Sequence, residues 1–269
     1  MKRDLHSLER VRIAFVFSVP IAILGGLIGL GGAEFRLPVL KGPMRYSAKE
    51  AVPLNLCVSL ITLVVSLLTR VGTLPLAPLV ELSPVVISLA FGAMLAAFFG
   101  TRLVKGLSER RLERMILVLL VAIGAALIVE SLLPQSSSGL FPSALSWSMV
   151  IGILFGLAIG LVSSVLGVAG GELIIPTLIF GFGVAVKIAG TASLFISLPT
   201  VTVGLYRYAR QGAFSQRVVF REMVVPMGLG SVIGALVGGL LVGVIPAWVL
   251  KLVLGAVLIV SAIRIFRSS

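Results

Sequence analysis

A glycine-rich apolar segment occurs twice in this chain, at residues 29–34 (GLGGAE) and, 138 residues later, at 167–172 (GVAGGE). Each copy ends a long hydrophobic run, adds one carboxylate, and is followed by a proline, Pro38 or Pro176. Breaking a helix within lipid frees backbone N–H and C=O groups, and burying a carboxylate there is costly unless both serve a site. The repeat therefore predicts a membrane transporter built from two related halves.

Composition excludes a soluble globular protein. Of the 269 residues, 58% are hydrophobic and 12% charged, and the mean hydropathy is +1.18. The fold class predicted is all-α and polytopic. Stretches long enough to cross about 30 Å of hydrocarbon occur at 11–30, 50–69, 83–104, 115–133, 148–167, 188–206, 223–244 and 247–263. The net charge of +12 lies in short loops between them, so it indicates topology and not nucleic-acid binding.

The sequence carries no signature of an enzyme or of a cofactor. Cys57 and His6 are the single cysteine and histidine, which excludes a disulfide within the chain and a multi-cysteine metal site. The HExxH, GxSxG and phosphate-loop motifs are absent from the sequence. We therefore expect no catalytic residue, no metal site and no cofactor, with membrane lipid and a small anion as the partners.

The duplication extends well beyond the motif. At the same offset of 138, Ser59 matches Ser197, Thr62 matches Thr200, and Gly92 matches Gly230. A Ser-, Gly- and Pro-rich segment at 134–142 separates the copies. We predict a first transmembrane repeat over residues 1–138 and a second over 139–269.

The distribution of Lys and Arg decides the orientation of the halves. Eight simple crossings would put 11 of these 22 residues on each side, which gives no bias. If each motif instead forms a re-entrant hairpin or a second crossing, 19 fall inside and 3, Arg70, Lys187 and Lys251, fall outside. Each half then has about five helical elements, so the repeats are inverted and both termini are cytoplasmic.

The return arms predict an anion site. Helices that begin near Glu34 and Glu172 would direct their N-terminal amides and partial positive charge toward the midplane, as half-helices in transporters do. The two carboxyls are candidate proton-coupling groups, because burial favours the neutral form of a carboxyl; electrostatic capping of the half-helix is the alternative. The candidate substrate-binding residues, for which helix packing and interhelical hydrogen bonds are the alternatives, are Gly29, Gly31, Gly32, Asn55, Ser163, Ser164, Gly167, Gly170, Gly171, Thr191 and Ser193.

The two segments 29–40 and 167–178 resemble the repeated motif of the TauE/SafE family, the sulfite exporters. The first copy departs from a fuller run of glycines at Ala33, Glu34 and Arg36. The resemblance covers essentially the whole chain. It implies a secondary transporter of the prokaryotic inner membrane for sulfite, thiosulfate, sulfonates or similar anions.

Two functions remain open at this point. A secondary carrier is favoured by the duplication, the midplane breaks and the absence of a nucleotide-binding motif in the sequence. An anion channel is the alternative, because converging helix N-termini can also build a selectivity filter.

Overall fold

The chain folds into helices. The computed structural model describes residues 2–103, 121–122, 124–129, 131, 139–142, 144–166, 168–214 and 220–267, and these contain no strand. In the first half the helices are α1 (Lys2–Ile28), α2 (Ala33–Lys41), α3 (Ala48–Thr73), α4 (Ala77–Glu81) and α5 (Ser83–Leu103). In the second half they are α6 (Leu145–Leu166), α7 (Gly171–Pro176), α8 (Val186–Arg210), α9 (Val225–Val244) and α10 (Ala247–Arg267). One π-helical turn, Thr177–Gly181, continues α7, and another, Phe220–Val224, precedes α9.

Within the described residues, five helical segments are long and apolar enough to cross a membrane. They are Glu9–Ile28, Glu50–Thr73, Leu145–Ser164, Val186–Arg210 and Phe220–Val244. Shorter apolar helices cover Ser83–Phe99, Gly171–Gly181 and Ala247–Val260. The prediction of an all-α polytopic protein is confirmed. The predicted span 115–133 lies mostly outside the described residues. Within it, the described residues between 121 and 131 are helical.

The first glycine-rich segment turns the chain back on itself. Asn55 of α3 donates a hydrogen bond to the carbonyl oxygen of Ala33, the first residue of α2, at 3.0 Å. At the other end of α2, Leu40 packs in the same apolar cluster as Ala51, near the start of α3. The two helices are therefore antiparallel, as a return arm requires.

Helices α1 and α3 run in the same direction, because both run parallel to α9. A Cβ on Gly230 would meet Phe15, and one on Gly238 would meet Ile23. Residue numbers therefore increase in the same direction along both helices, so α1 and α9 are parallel. The contacts Gly228 to Ile61 and Gly239 to Thr69 show the same for α3 and α9. A chain that leaves α1 and re-enters α3 in the same direction must return between them. The return arm α2 has nine residues and is therefore about 13.5 Å long at 1.5 Å per residue, which is too short to cross about 30 Å of hydrocarbon, so the first motif forms a re-entrant hairpin and not a second full crossing.

The two repeats are inverted. Helices α3 and α8 are equivalent under the offset of 138, yet Arg70 near the end of α3 contacts Thr191 near the start of α8, at 3.1 Å. Leu56 near the start of α3 lies close to Gly204 near the end of α8. The equivalent helices are thus antiparallel, which confirms the prediction from the charge count. The predicted boundary at 138/139 adjoins residues 132–138, which lie outside the described part, and stays a prediction.

The first helix of each half packs on the opposite half through small residues. A Cβ on Gly230 of α9 would lie 2.7 Å from the Phe15 carbonyl oxygen of α1. A Cβ on Gly92 of α5 would lie 2.3 Å from the Ile153 carbonyl oxygen of α6, and both residues of this pair are related to the first pair by the same offset. Backbones approach this closely because no side chain intervenes. The repeats are therefore interlocked about a pseudo-twofold axis.

Candidate functional site

The two helix breaks meet each other near the pseudo-twofold axis. Gly31 lies against Ala169, and Gly171 lies against the Cα of Leu30, where an added Cβ would come within 3.1 Å. Gly29 has a φ of +97°, and a Cβ there would lie 2.2 Å from the carbonyl oxygen of Gly190. Only glycine fits such a position without a backbone shift. The sequence expectation that the interrupted helices face each other therefore agrees with this packing.

The first break is stabilised by a buried arginine. Arg36 of α2 is fully buried and donates hydrogen bonds to Ser59 Oγ at 2.9 Å, Thr62 Oγ1 at 2.7 Å and the Gly31 carbonyl oxygen at 2.6 Å. The neighbouring Glu34 is also buried and interacts electrostatically with this guanidinium. The charge count placed Arg36 on the inside as part of the return arm, and its side chain is enclosed by α3 and the break.

The second break has the same backbone and a different side chain. The N-cap residues Gly32 and Gly170 have φ values of 71° and 81°. The amide of Leu30 donates to Gly25 at 3.0 Å, and the amide of Val168 donates to Ser163 at 3.2 Å. Each of these pairs is related by the offset of 138, so the local main chain is repeated.

A buried isoleucine, Ile174, stands at the position equivalent to Arg36. Glu172 is only 3% exposed, and its Oε1 receives no hydrogen bond from the described residues. The hydroxyls of Ser193 and Ser197 are buried and likewise form no hydrogen bond within the described part of the chain. The second break thus holds buried oxygen atoms that no arginine of the described residues satisfies.

A cavity of about 190 Å³ lies between the broken end of α6 and the C-terminal half of α8. We call it the α6–α8 cavity. Its polar lining consists of Ser163, Ser164, Thr200, Arg207, Tyr208 and Gln211. Its apolar lining consists of Leu56, Ala97, Val168 and Val201, together with Gly204. Arg207 is the charged side chain among these lining residues.

Arg70 occupies the pseudo-symmetric position in the first half. Residue 70 is equivalent to Tyr208 of the cavity, and the arginine is fully buried. Its guanidinium donates to the carbonyl oxygens of Gly26 at 3.0 Å and Leu27 at 2.7 Å, which end the broken helix α1. It also crosses to the second half, donating to the Lys187 carbonyl oxygen at 3.3 Å and to Thr191 at 3.1 Å.

Arg70 was counted on the outside, and its side chain is buried because the orphan carbonyls of the broken helix accept its hydrogen bonds. Lys251, also counted outside, is buried as well. Of the two equivalent regions, one contains a cavity and the other is bridged by a cation.

The structure brings only part of the predicted substrate-binding set to the cavity. Ser163 and Ser164 line it, and their hydroxyls donate to the carbonyl oxygens of Val168 and Leu161. Thr191 instead accepts from Arg70. Gly167 lies outside the described residues. The remaining candidates lie in the two helix breaks or on the helices packed against them. They are Gly29, Gly31, Gly32, Gly170, Gly171, Asn55 and Ser193.

Sequence reasoning missed Arg207, Tyr208 and Gln211 as possible site residues. Arg207 was counted only as a topological charge, although it lies one turn inside the end of α8 and donates to the Ala97 carbonyl oxygen at 2.6 Å. The available signal was the duplication itself, since Tyr208 replaces Arg70 at the equivalent position.

Comparisons with known proteins agree with the motif and the fold. The family model described as "Sulfite exporter TauE/SafE" matches residues 2–127 and 152–269, nearly the whole chain. No match was found among curated proteins or among solved structures. The family consists of membrane transporters and not enzymes. On this match and on its helical, membrane-spanning architecture, the chain belongs to the TauE/SafE sulfite exporter family.

Proposed function

We propose that this protein is a secondary carrier of small sulfur-containing anions of the sulfite, thiosulfate and sulfonate class. The observation that carries this proposal is the α6–α8 cavity together with Arg70, which bridges the two halves at the position equivalent to the cavity residue Tyr208. Inverted repeats give alternating access when one side opens as the equivalent side closes. A channel would need a continuous path, whereas here Arg70 bridges the two halves at the position equivalent to the cavity.

The lining of the α6–α8 cavity suits an oxyanion. Arg207 supplies positive charge, and Tyr208 and Gln211 supply hydrogen-bond donors. Apolar neighbours such as Val201 lower the local polarity, which strengthens electrostatic attraction to a bound anion. The proposed substrate path runs from this cavity toward the meeting point of the two breaks, where the amides of α7 begin.

The charge distribution supports a cytoplasmic opening. Gln211 at the end of α8 is exposed, and the following segment carries Arg217 and Arg221. A positively charged segment between two membrane spans is retained inside during insertion. The proposal therefore places the protein in the cell inner membrane, with both termini cytoplasmic and the cavity open inward.

The group that couples proton movement to anion movement lies, in this proposal, in the second half. Proton coupling was expected of both Glu34 and Glu172, but Glu34 interacts electrostatically with the guanidinium of Arg36, which favours the charged carboxylate. Glu172 comes two residues before Ile174, which replaces Arg36, and four residues after Val168, which lines the cavity. Glu172 is therefore the coupling group that we propose.

Uptake of ³⁵S-labelled thiosulfate into proteoliposomes tests the carrier, with sulfite, sulfoacetate and a carboxylate as competitors. We expect saturable uptake that sulfur anions inhibit and the carboxylate does not. Replacing Arg207 with Gln should raise KM about tenfold, since hydrogen bonds to charged groups contribute about 1.5–3 kcal/mol. Arg210→Gln is the matched control, because that exposed arginine stacks on Tyr206 instead of lining the cavity.

Two results would reject the proposal. Unsaturable uptake with large single-channel currents would identify an anion channel. Equal KM changes for Arg207→Gln and Arg210→Gln would show that the α6–α8 cavity does not bind the substrate.

A further inference from the structure

The difference between the two helix breaks points to a second ligand. In the first half the Arg36 guanidinium is held by Ser59, Thr62 and the Gly31 carbonyl oxygen, and it interacts electrostatically with Glu34, whose oxygens form no hydrogen bond within the described residues. Three oxygen atoms thus accept hydrogen bonds from one positive charge, and Glu34 supplies an opposite charge nearby. A guanidinium carries one elementary charge, which the single carboxylate balances.

The second half repeats the oxygen atoms without the positive charge. The equivalent groups are Ser197, Thr200, the Ala169 carbonyl oxygen and Glu172, and Ile174 replaces the arginine. The backbone is the same in both breaks, as the paired N-cap glycines show. Thr62 and Thr200 also donate to the equivalent carbonyl oxygens, those of Val58 and Ile196, so each hydroxyl keeps a lone pair turned away from its helix.

Unsatisfied buried atoms in this cluster give an independent indication of a ligand. The Ser197 hydroxyl is 1% exposed, and neither it nor Glu172 Oε1 has a hydrogen-bond partner in the described part of the chain. Buried polar groups without a partner cost free energy, and they persist at sites that bind something. Isoleucine has no donor with which to replace the guanidinium.

We propose that the second break binds a monovalent alkali cation, Na⁺ or one of similar size, where the first break carries the guanidinium of Arg36. Hydroxyl, carbonyl and carboxylate oxygens are the ligands that hard cations prefer. Unwound backbone carbonyls at broken helices hold such ions in other transporters. One carboxylate favours a single positive charge, because a divalent ion would leave an uncompensated charge in the interior.

The site also explains how cation and anion movement would be linked. Thr200 belongs both to this oxygen cluster and to the lining of the α6–α8 cavity. A cation held by Thr200 and Glu172 would offset the repulsion between that carboxylate and an anion in the cavity. This part of the inference rests on the proposed carrier function, and it assigns Glu172 to a metal cation instead of a proton.

Thermal unfolding of the purified protein tests cation binding without any sulfur anion. The midpoint is measured in N-methyl-D-glucamine gluconate and in sodium, lithium or potassium gluconate at equal ionic strength. We expect at least one alkali cation to raise the midpoint in a saturable way. Ser197→Ala and Thr200→Val should each weaken the apparent Kd at least tenfold, whereas Ser59→Ala, the equivalent change in the first half, should leave it unchanged.

Ile174→Arg is the sharpest variant. By placing a guanidinium in the second break it should stabilise the protein without cations and abolish the response to them. If this variant fails to fold, the apparent cation Kd of Ser197→Ala compared with that of Ser59→Ala still tests whether the second break binds the cation.

Three outcomes would overturn the inference: no alkali cation shifts the midpoint, Ser197→Ala and Thr200→Val respond like the wild type, or only pH shifts the midpoint and Glu172→Gln removes that shift. The last result would identify a proton site. Cation binding without thiosulfate uptake would reject the carrier and leave the site standing. Uptake without any cation response would reject only the site.

Discussion

Replacing Arg70 with Met should open the side of the protein opposite the α6–α8 cavity. Two of the four hydrogen bonds from Arg70 stay within the first half, and two reach Lys187 and Thr191 of the second half. Of these four hydrogen bonds, only the second pair links the two repeats. Losing that pair therefore changes the equilibrium between the state open at the α6–α8 cavity and the state open on the opposite side. Methionine keeps most of the length and packing of the side chain while removing all the donors.

The magnitude follows from the number of bonds between the halves. A hydrogen bond from a charged group contributes about 1.5 kcal/mol at the lower end of its range, so two contribute about 3 kcal/mol. At about 1.4 kcal/mol per factor of ten, the population of the oppositely open state should rise by roughly 150-fold. This is a lower bound if the bonds are stronger in the apolar interior.

Thiol labelling at a pair of equivalent positions measures the shift. In a Cys57→Ser background, a cysteine replaces either Gln211 at the cavity or Thr73, its equivalent on the bridged side. We expect Arg70→Met to speed labelling at position 73 by at least tenfold and to slow labelling at position 211.

Tyr208→Met, the same change at the pseudo-symmetric position, is the control and should not speed labelling at position 73. A change of less than twofold in the labelling rate at position 73 of Arg70→Met, in protein that stays folded by gel filtration and thermal unfolding, would show that Arg70 does not hold this side closed.

Two further changes test the breaks themselves. Arg36→Ile copies the second half but leaves Glu34 as a buried, uncompensated charge, so it should cost about 3–5 kcal/mol of stability. Adding Glu34→Gln should recover part of that loss. Purely additive changes in the unfolding midpoint would contradict an electrostatic interaction between Glu34 and Arg36. Gly29→Ala places a Cβ 2.2 Å from the Gly190 carbonyl oxygen at a positive φ and should abolish folded, monodisperse protein. Gly72→Ala meets nothing within 4 Å and is the matched control, so equal expression of the two variants would refute the close packing.

The duplicated motif allowed much of the fold to be predicted. Glycines at a hydrophobic helix end predict a break because lipid offers no partner for free backbone groups. The count of Lys and Arg then predicted inverted repeats with a re-entrant hairpin or a second crossing at each motif, and the antiparallel packing of α3 and α8 confirms the inversion. These signals are local or additive along the chain, so no knowledge of packing is needed to use them.

The roles of Arg36 and Arg70 could not be predicted in the same way. Hydropathy and charge counting treat every arginine alike, and both residues lie near the ends of apolar runs, where a loop is the ordinary expectation. The acceptors of Arg70 lie 43 and 44 residues earlier in the chain and 117 and 121 residues later. Only the folded arrangement brings those orphan carbonyls to one guanidinium.

The sequence by itself determined that this chain spans the membrane as two inverted, glycine-broken repeats, because periodicity, composition and loop charge act segment by segment. The tertiary structure decided how the two halves differ in use. Tyr208 replaces Arg70, and Ile174 replaces Arg36. The effect of each replacement depends on the hydrogen-bonding groups that other helices place around it. A pseudo-symmetric backbone with asymmetric side chains therefore has a cavity on one side and a cation bridge on the other.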